Sequence, residues 1–114
     1  MNQLKVSPAK VRVAVYLIIA SSQTEAEAIA SALVQEQLAA CLSIAPIQSV
    51  YRWQGDIHQD EEWQLMVKID LTQFSAIAAR VQQLHSYEVP EVIALPIVEG
   101  AATYLDWLAK QVRL

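Results

Sequence analysis

The chain has 114 residues, 54% of them hydrophobic and 18% charged, and its 8 Lys+Arg against 12 Asp+Glu give a net charge of -4. That length suits one domain with a real core, and an acidic balance with no basic cluster argues against a nucleic-acid partner or an anionic membrane surface. Typical chains are about 45–50% apolar and about 25% charged, so this one carries more apolar surface than a single small core hides, and a homo-oligomer is expected.

Residues 1–10 read as a flexible leader, followed by one domain over 11–114. "VRVAVYLIIA" (Val11–Ala20) alternates with the period of a strand, and both of its faces are apolar. Lys5, Lys10 and Arg12 before it could suggest a signal peptide. The run is short, Val/Ile-rich and followed by a capped helix, which favours a first strand. No apolar stretch approaches the roughly 18 residues of a membrane span.

Ser22 with Glu25 three residues later forms a capping-box pattern, and Ala26, Ile29, Ala30, Leu33 and Val34 recur at helical spacing, predicting a helix over Ser22–Leu38. Cys41 to Gln54 is β-rich, and Pro46, which cannot donate to a ladder, marks an edge or a bulge. After the turn signal Gln54-Gly55-Asp56, Glu62–Asp70 alternates Trp63, Leu65, Val67 and Ile69 against Gln64, Met66 and Lys68, which completes a hairpin. Thr72 can cap a second helix whose stripe is Phe74, Ile77, Ala78, Val81 and Leu84. Val92–Val98 reads as a fourth strand and Thr103–Val112 as a short last helix.

The order βαββαβ plus a terminal helix is an α+β, ferredoxin-like arrangement. Tracing strand directions brings Ser21, Ser22, Trp53, His85, Tyr87 and Glu88 to one rim and sends Cys41 to the other. Both helices cover one face of the sheet, so the other, with Ile18 and Met66 assigned to it, needs a partner.

Candidate chemistry centres on "LHSYEVPEVIALPI" (Leu84–Ile97). His85 with Glu88 and Glu91 offers an imidazole and two carboxylates, suited to a borderline divalent ion. Alternatively, His85 complements the end of its helix and the glutamates are solvated. Cys41, the only cysteine, excludes an intramolecular disulfide and fits a reducing, cytoplasmic setting. It reads either as a small core residue or as a soft metal ligand. His58, Asp60, Glu61 and Glu62 look like a solvated charge run at a hairpin tip rather than a metal patch. Tyr51, Trp53 and Trp63 are core or interface anchors, or the lining of an aromatic pocket. Ser21 and Ser22 sit where a helix N-terminus could hold an anion, without a glycine-rich turn. No nucleophile motif accompanies the two histidines, so an enzyme is not expected.

Taken together, "AACLSIAPIQSVYRWQGDI", "EEWQLMVKI", "LHSYEVPEVIALPI" and "YLDWL" resemble the CutA divalent-cation tolerance family over roughly Val13–Val112. The resemblance implies a ferredoxin-like subunit and a homotrimer clasped by long hairpins. It also implies a link to divalent ions, copper foremost, with no metal needed for folding. Cys41, His85 and Glu91 match the residues usually discussed as ligands, with Glu88 as a further candidate. Leu84 stands where some relatives carry a second histidine, and Ser86 where many have proline. The family is also similar in architecture to PII-type signalling trimers, which implies an alternative: a sensor or scaffold holding a small molecule in a cleft near Ser21, Ser22, Trp53 and Tyr87.

Overall fold

A computed structural model of the protein describes residues 13–111 and the backbone of 6–8. The elements are β1 (Val6–Pro8), β2 (Val13–Ala20), α1 (Gln23–Gln35), β3 (Cys41–Trp53), β4 (Asp56–Asp70), a 3-10 turn (Leu71–Gln73), α2 (Phe74–Leu84), β5 (Val92–Pro96), β6 (Glu99–Ala101) and α3 (Ala102–Gln111). Four antiparallel strands form the main sheet in the order β3-β4-β2-β5, the ferredoxin-like arrangement. A second, two-stranded pairing joins β1 to β6. Val6–Pro8, read above as part of the leader, pair their backbone with Glu99–Ala101, and the rest of residues 1–10 lie outside the described residues. Val11, Arg12 and Val112, assigned above to the first strand and last helix, lie outside the described residues.

Local chemistry explains the boundaries. Ser22 is the N-cap of α1, its hydroxyl accepting from the Glu25 N–H at 3.1 Å. The helix stops at Gln35, short of the expected Leu38, because Gln37 adopts φ 59. Leu38 N–H then reaches the Leu33 carbonyl at 2.9 Å and Gln37 N–H the Val34 carbonyl at 3.1 Å, the paired bonds of a Schellman ending. Thr72 is not a cap. Asp70 takes that role, its Oδ1 accepting from both the Thr72 N–H and hydroxyl at 2.8 Å, which leaves Thr72 inside the 3-10 turn. Pro46 lies on β3, an edge strand, as a residue without an N–H requires. The fourth strand ends at Pro96 rather than Val98.

Register decides which side chains face the helices. Ala14, Tyr16, Ile18 and Ala20 of β2 and Leu65, Val67 and Ile69 of β4 are buried together with Ala26, Ile29 and Leu33 of α1 and Ile77 and Val81 of α2. Ile18 therefore belongs to the helix-covered core, not to the open face. There Leu17 pairs with Met66 and Ile93, and Met66, Ile93 and Leu95 remain exposed. At one end α3 closes over the open face, packing Leu105 and Leu108 against Val13, Cys41 and Ile97. Tyr16 reaches from the core to the Asp70 carbonyl at 3.1 Å. Its burial and the nearby Asp70 charge push its pKa up to about 12.

The hairpin is longer than its alternation suggests, because β4 begins at Asp56 rather than Glu62. Gln54 at φ 50 and Gly55 at φ 87 make the turn, the two left-handed residues of a type I′ hairpin. β2 pairs with β4 only from Trp63 to Asp70. From Ile47↔Glu62 to Trp53↔Asp56 the hairpin is thus a free-standing two-stranded ribbon.

Candidate functional site

Where the ribbon leaves the sheet, a cavity of about 720 Å³ opens, lined by Ile19, Ile47, Ser49, Tyr51, Trp53, Glu62 and Gln64 among others. In β3 and β4 these residues share the parity of Met66 and Ser43, which pair with each other, so they project from the helix-free face. The opposite wall is the segment after α2, which contributes Tyr87, Glu88, Val89 and Glu91. Among the described residues, three carboxylates line the cleft and no Lys, Arg or His does.

The wall is fixed by His85, whose side chain is 0% exposed. Its Nδ1 accepts from the Tyr87 N–H at 3.0 Å, which leaves Nε2 to carry the proton and donate to the Ile19 carbonyl. Ile19 lies just past Ile18↔Val92, the last pair of β2 with β5, so the imidazole continues the ladder where the strand ends. Both ring nitrogens are thereby engaged, and a metal could bind only by displacing one of these bonds.

Glu25 ties the same wall to α1. Its carboxylate accepts from the Ser21 N–H at 3.0 Å, the Ser21 hydroxyl at 3.1 Å and the Ser86 N–H at 2.9 Å, and lies 3.5 Å from His85 Nδ1. Burial pushes its pKa up, but the Ser21 and Ser86 hydrogen bonds outweigh burial and hold it below the ordinary 4.5. The α1 N-terminus thus already holds an anion, the side chain of its own third residue.

On the cleft floor, Glu62 is 6% exposed and its Oε2 accepts from the Tyr87 hydroxyl at 2.7 Å. Burial and the Glu62 charge raise the Tyr87 pKa well above its usual range, so that hydroxyl stays a donor. Tyr51 donates to Asp60 and stacks on His58 with ring centroids 5.5 Å apart. The Asp60 bond pushes the Tyr51 pKa up to about 12.

Of the expected rim, Trp53, Tyr87 and Glu88 do line one cavity, which the metal candidate Glu91 also lines. Ser21 and Ser22 do not: Ser22 caps α1, and Ser21 donates to the Glu25 carboxylate, its Oγ also lying 3.2 Å from Ser86 Oγ. Cys41 sits at the opposite end, its Sγ 3.8 Å from the Tyr104 hydroxyl, which also accepts from Lys68 Nζ at 3.0 Å. Among the described residues no three His, Cys, Asp or Glu side chains converge as a metal site, and this includes His58, Asp60, Glu61 and Glu62. Trp63 packs against the core, whereas Tyr51 and Trp53 remain exposed. Glu62 is the site residue that the charge run concealed. Its parity with Gln64 and Met66 was the available signal.

Comparison with known proteins gives a consistent result. The family model for the CutA1 divalent ion tolerance protein matches residues 14–111. A divalent-cation tolerance protein CutA of Thermus thermophilus is 50% identical over 95 residues, which cover 82% of this chain and 92% of that protein. A chloroplastic protein CutA of Arabidopsis thaliana is 44% identical over 86 residues, covering 75% of this chain and 47% of its own length. The solved structure of CutA from Synechococcus elongatus PCC7942 matches with a TM-score of 0.88 at 35% identity over 96% of both chains. The family match over nearly the whole described chain and these relatives agree: the chain belongs to the CutA1 divalent ion tolerance family.

Proposed function

We propose that the protein serves divalent-cation tolerance by binding the cation itself, as a non-catalytic cytoplasmic homotrimer, with copper the first ion to test. The observation that carries this reading is the cleft that Glu62, Glu88 and Glu91 line with no basic side chain among the described residues. Glu88 and Glu91, both on the wall segment, supply the ligand oxygens, and copper(II) accepts such hard donors. His85 acts by holding that segment, and it becomes a ligand only if its bond to Ile19 or Tyr87 is given up. One protomer offers too few donors for a full coordination shell, so water or a neighbouring subunit completes it. Cys41, at the far end of its own sheet, enters only from such a neighbour.

The homotrimer is supported by exposed Met66, Ile93 and Leu95 on the open face and by Val50 and Ile57, each 67% exposed, on the ribbon. A two-stranded ribbon is marginal by itself in water, and clasping a neighbour would stabilise it. A stable folded monomer in light scattering at micromolar concentration would contradict this assembly.

Calorimetric copper titration tests the site. The double variant Glu88→Gln/Glu91→Gln should lose most of the wild-type affinity, and unchanged stoichiometry and affinity would remove these carboxylates from it. A second reading, a PII-like sensor of a small molecule, is favoured by the size of the cleft. A volume of about 720 Å³ is that of a metabolite pocket, far beyond the needs of a bare ion.

A further inference from the structure

The geometry points to an organic ammonium ion, a protonated primary or secondary amine of metabolite size, as the occupant of the cleft, with Glu62 as its counter-charge. This rests on the second reading above and names the ligand class.

Charge is the first argument. A carboxylate as buried as Glu62, 6% exposed, is costly unless a cation or several donors compensate it. The Tyr87 hydroxyl supplies one donor, to Oε2. Among the described residues no Lys, Arg or His pairs with Glu62, and none lines the cavity. An anionic ligand would add to that charge, and Glu88 and Glu91 on the opposite wall would repel a carboxylate or phosphate, whereas a neutral ligand brings only uncharged donors, the weaker partners of a carboxylate. An N–H donor of an ammonium ion can give Glu62 a charged hydrogen bond, which the neutral Tyr87 hydroxyl does not.

The walls then separate an organic cation from a metal ion. Tyr51, Trp53 and Tyr87 line the cavity, and aromatic faces attract ammonium groups while also covering the carbon skeleton attached to them. A bare or hydrated metal ion uses neither property. The volume admits the skeleton, since one water occupies only about 30 Å³ in the liquid.

The test uses the full-length, metal-free protein and two probes of nearly equal shape, benzylamine and benzyl alcohol, titrated by calorimetry at neutral pH, where only the amine is charged. Benzylamine should bind saturably, with benzyl alcohol weaker by about tenfold or more. Glu62→Gln, which keeps an acceptor for Tyr87, should weaken benzylamine to the level of the alcohol. Trp53→Leu, at a half-exposed ribbon position, should weaken benzylamine several-fold and decides the matter if the Glu62 variant does not fold. Equal binding of both probes would overturn the ammonium assignment while leaving a small-molecule cleft standing. Unchanged benzylamine affinity in Glu62→Gln, or in Trp53→Leu, would overturn the assigned role of this site. No binding of either probe at millimolar concentration would overturn both the inference and the reading beneath it.

Discussion

Replacing His85 by alanine separates a structural imidazole from a metal-ligating one. The substitution leaves the Ile19 carbonyl and the Tyr87 N–H without the ring that joins them. A buried polar group deprived of its partner costs about 1–3 kcal/mol. The Tyr87 amide is only partly buried, so water offsets part of its loss. The ring of His85 also packs on Tyr87 with centroids 4.8 Å apart, a contact worth about 0.5–1.5 kcal/mol. Taking the lower half of each range gives a destabilisation of about 3 kcal/mol. For a chain of this size about 1 kcal/mol moves the unfolding midpoint by about 4 °C, so the midpoint should fall by about 12 °C. The assay is thermal unfolding by circular dichroism in chelator-treated protein at one fixed subunit concentration, because assembly makes the midpoint concentration-dependent. Without metal, loss of a ligand cannot lower the midpoint. A metal-free variant melting within about 2 °C of wild type would refute the bonding pattern and return His85 to the ligand set.

Three further outcomes are expected. Asp70→Ala removes the acceptor for the Thr72 N–H and hydroxyl and should cost about 1–2 kcal/mol in chemical denaturation, as loss of a helix cap does; no change in midpoint would deny the cap. Glu25, held below its ordinary 4.5 in the folded chain, contributes stability that is present above that value and lost as pH falls through the depressed one. The stability gap between wild type and Glu25→Gln should therefore shrink on acidification below the ordinary carboxylate pKa, and a gap constant from about pH 7 to about pH 3 would contradict the network. Tyr87→Phe leaves Glu62 without its donor and should destabilise the fold by about 1.5–3 kcal/mol at neutral pH, whereas an unchanged denaturation midpoint would argue that the bond is not formed in solution.

Local signals carried most of the fold into the sequence. The Ser22–Glu25 cap, the Gln54-Gly55 turn and the alternation around Leu65 each depend on neighbours a few residues apart. Strand directions alone then brought Trp53, Tyr87 and Glu88 to one rim. What stayed hidden depends on distant partners. Both faces of β2 are apolar, so periodicity could not choose between Leu17 and Ile18 as the helix-facing residue; register with β4 and β5 makes that choice. The acceptor of His85 lies 66 residues earlier, beyond the reach of any local pattern. Glu62 looked solvated within "DIHQDEE" because only the wall segment, some 25 residues later, buries it. Ser21 and Ser22 were legible as a helix start, but the competing use of that start by Glu25 was visible only in the folded chain.

Electron paramagnetic resonance of the copper(II)-loaded protein tests the central claim, that the cleft carboxylates and not the His85 imidazole take the cation. Oxygen coordination without nitrogen superhyperfine structure is expected, abolished in Glu88→Gln/Glu91→Gln. Nitrogen coupling in wild type that disappears in His85→Asn would contradict it.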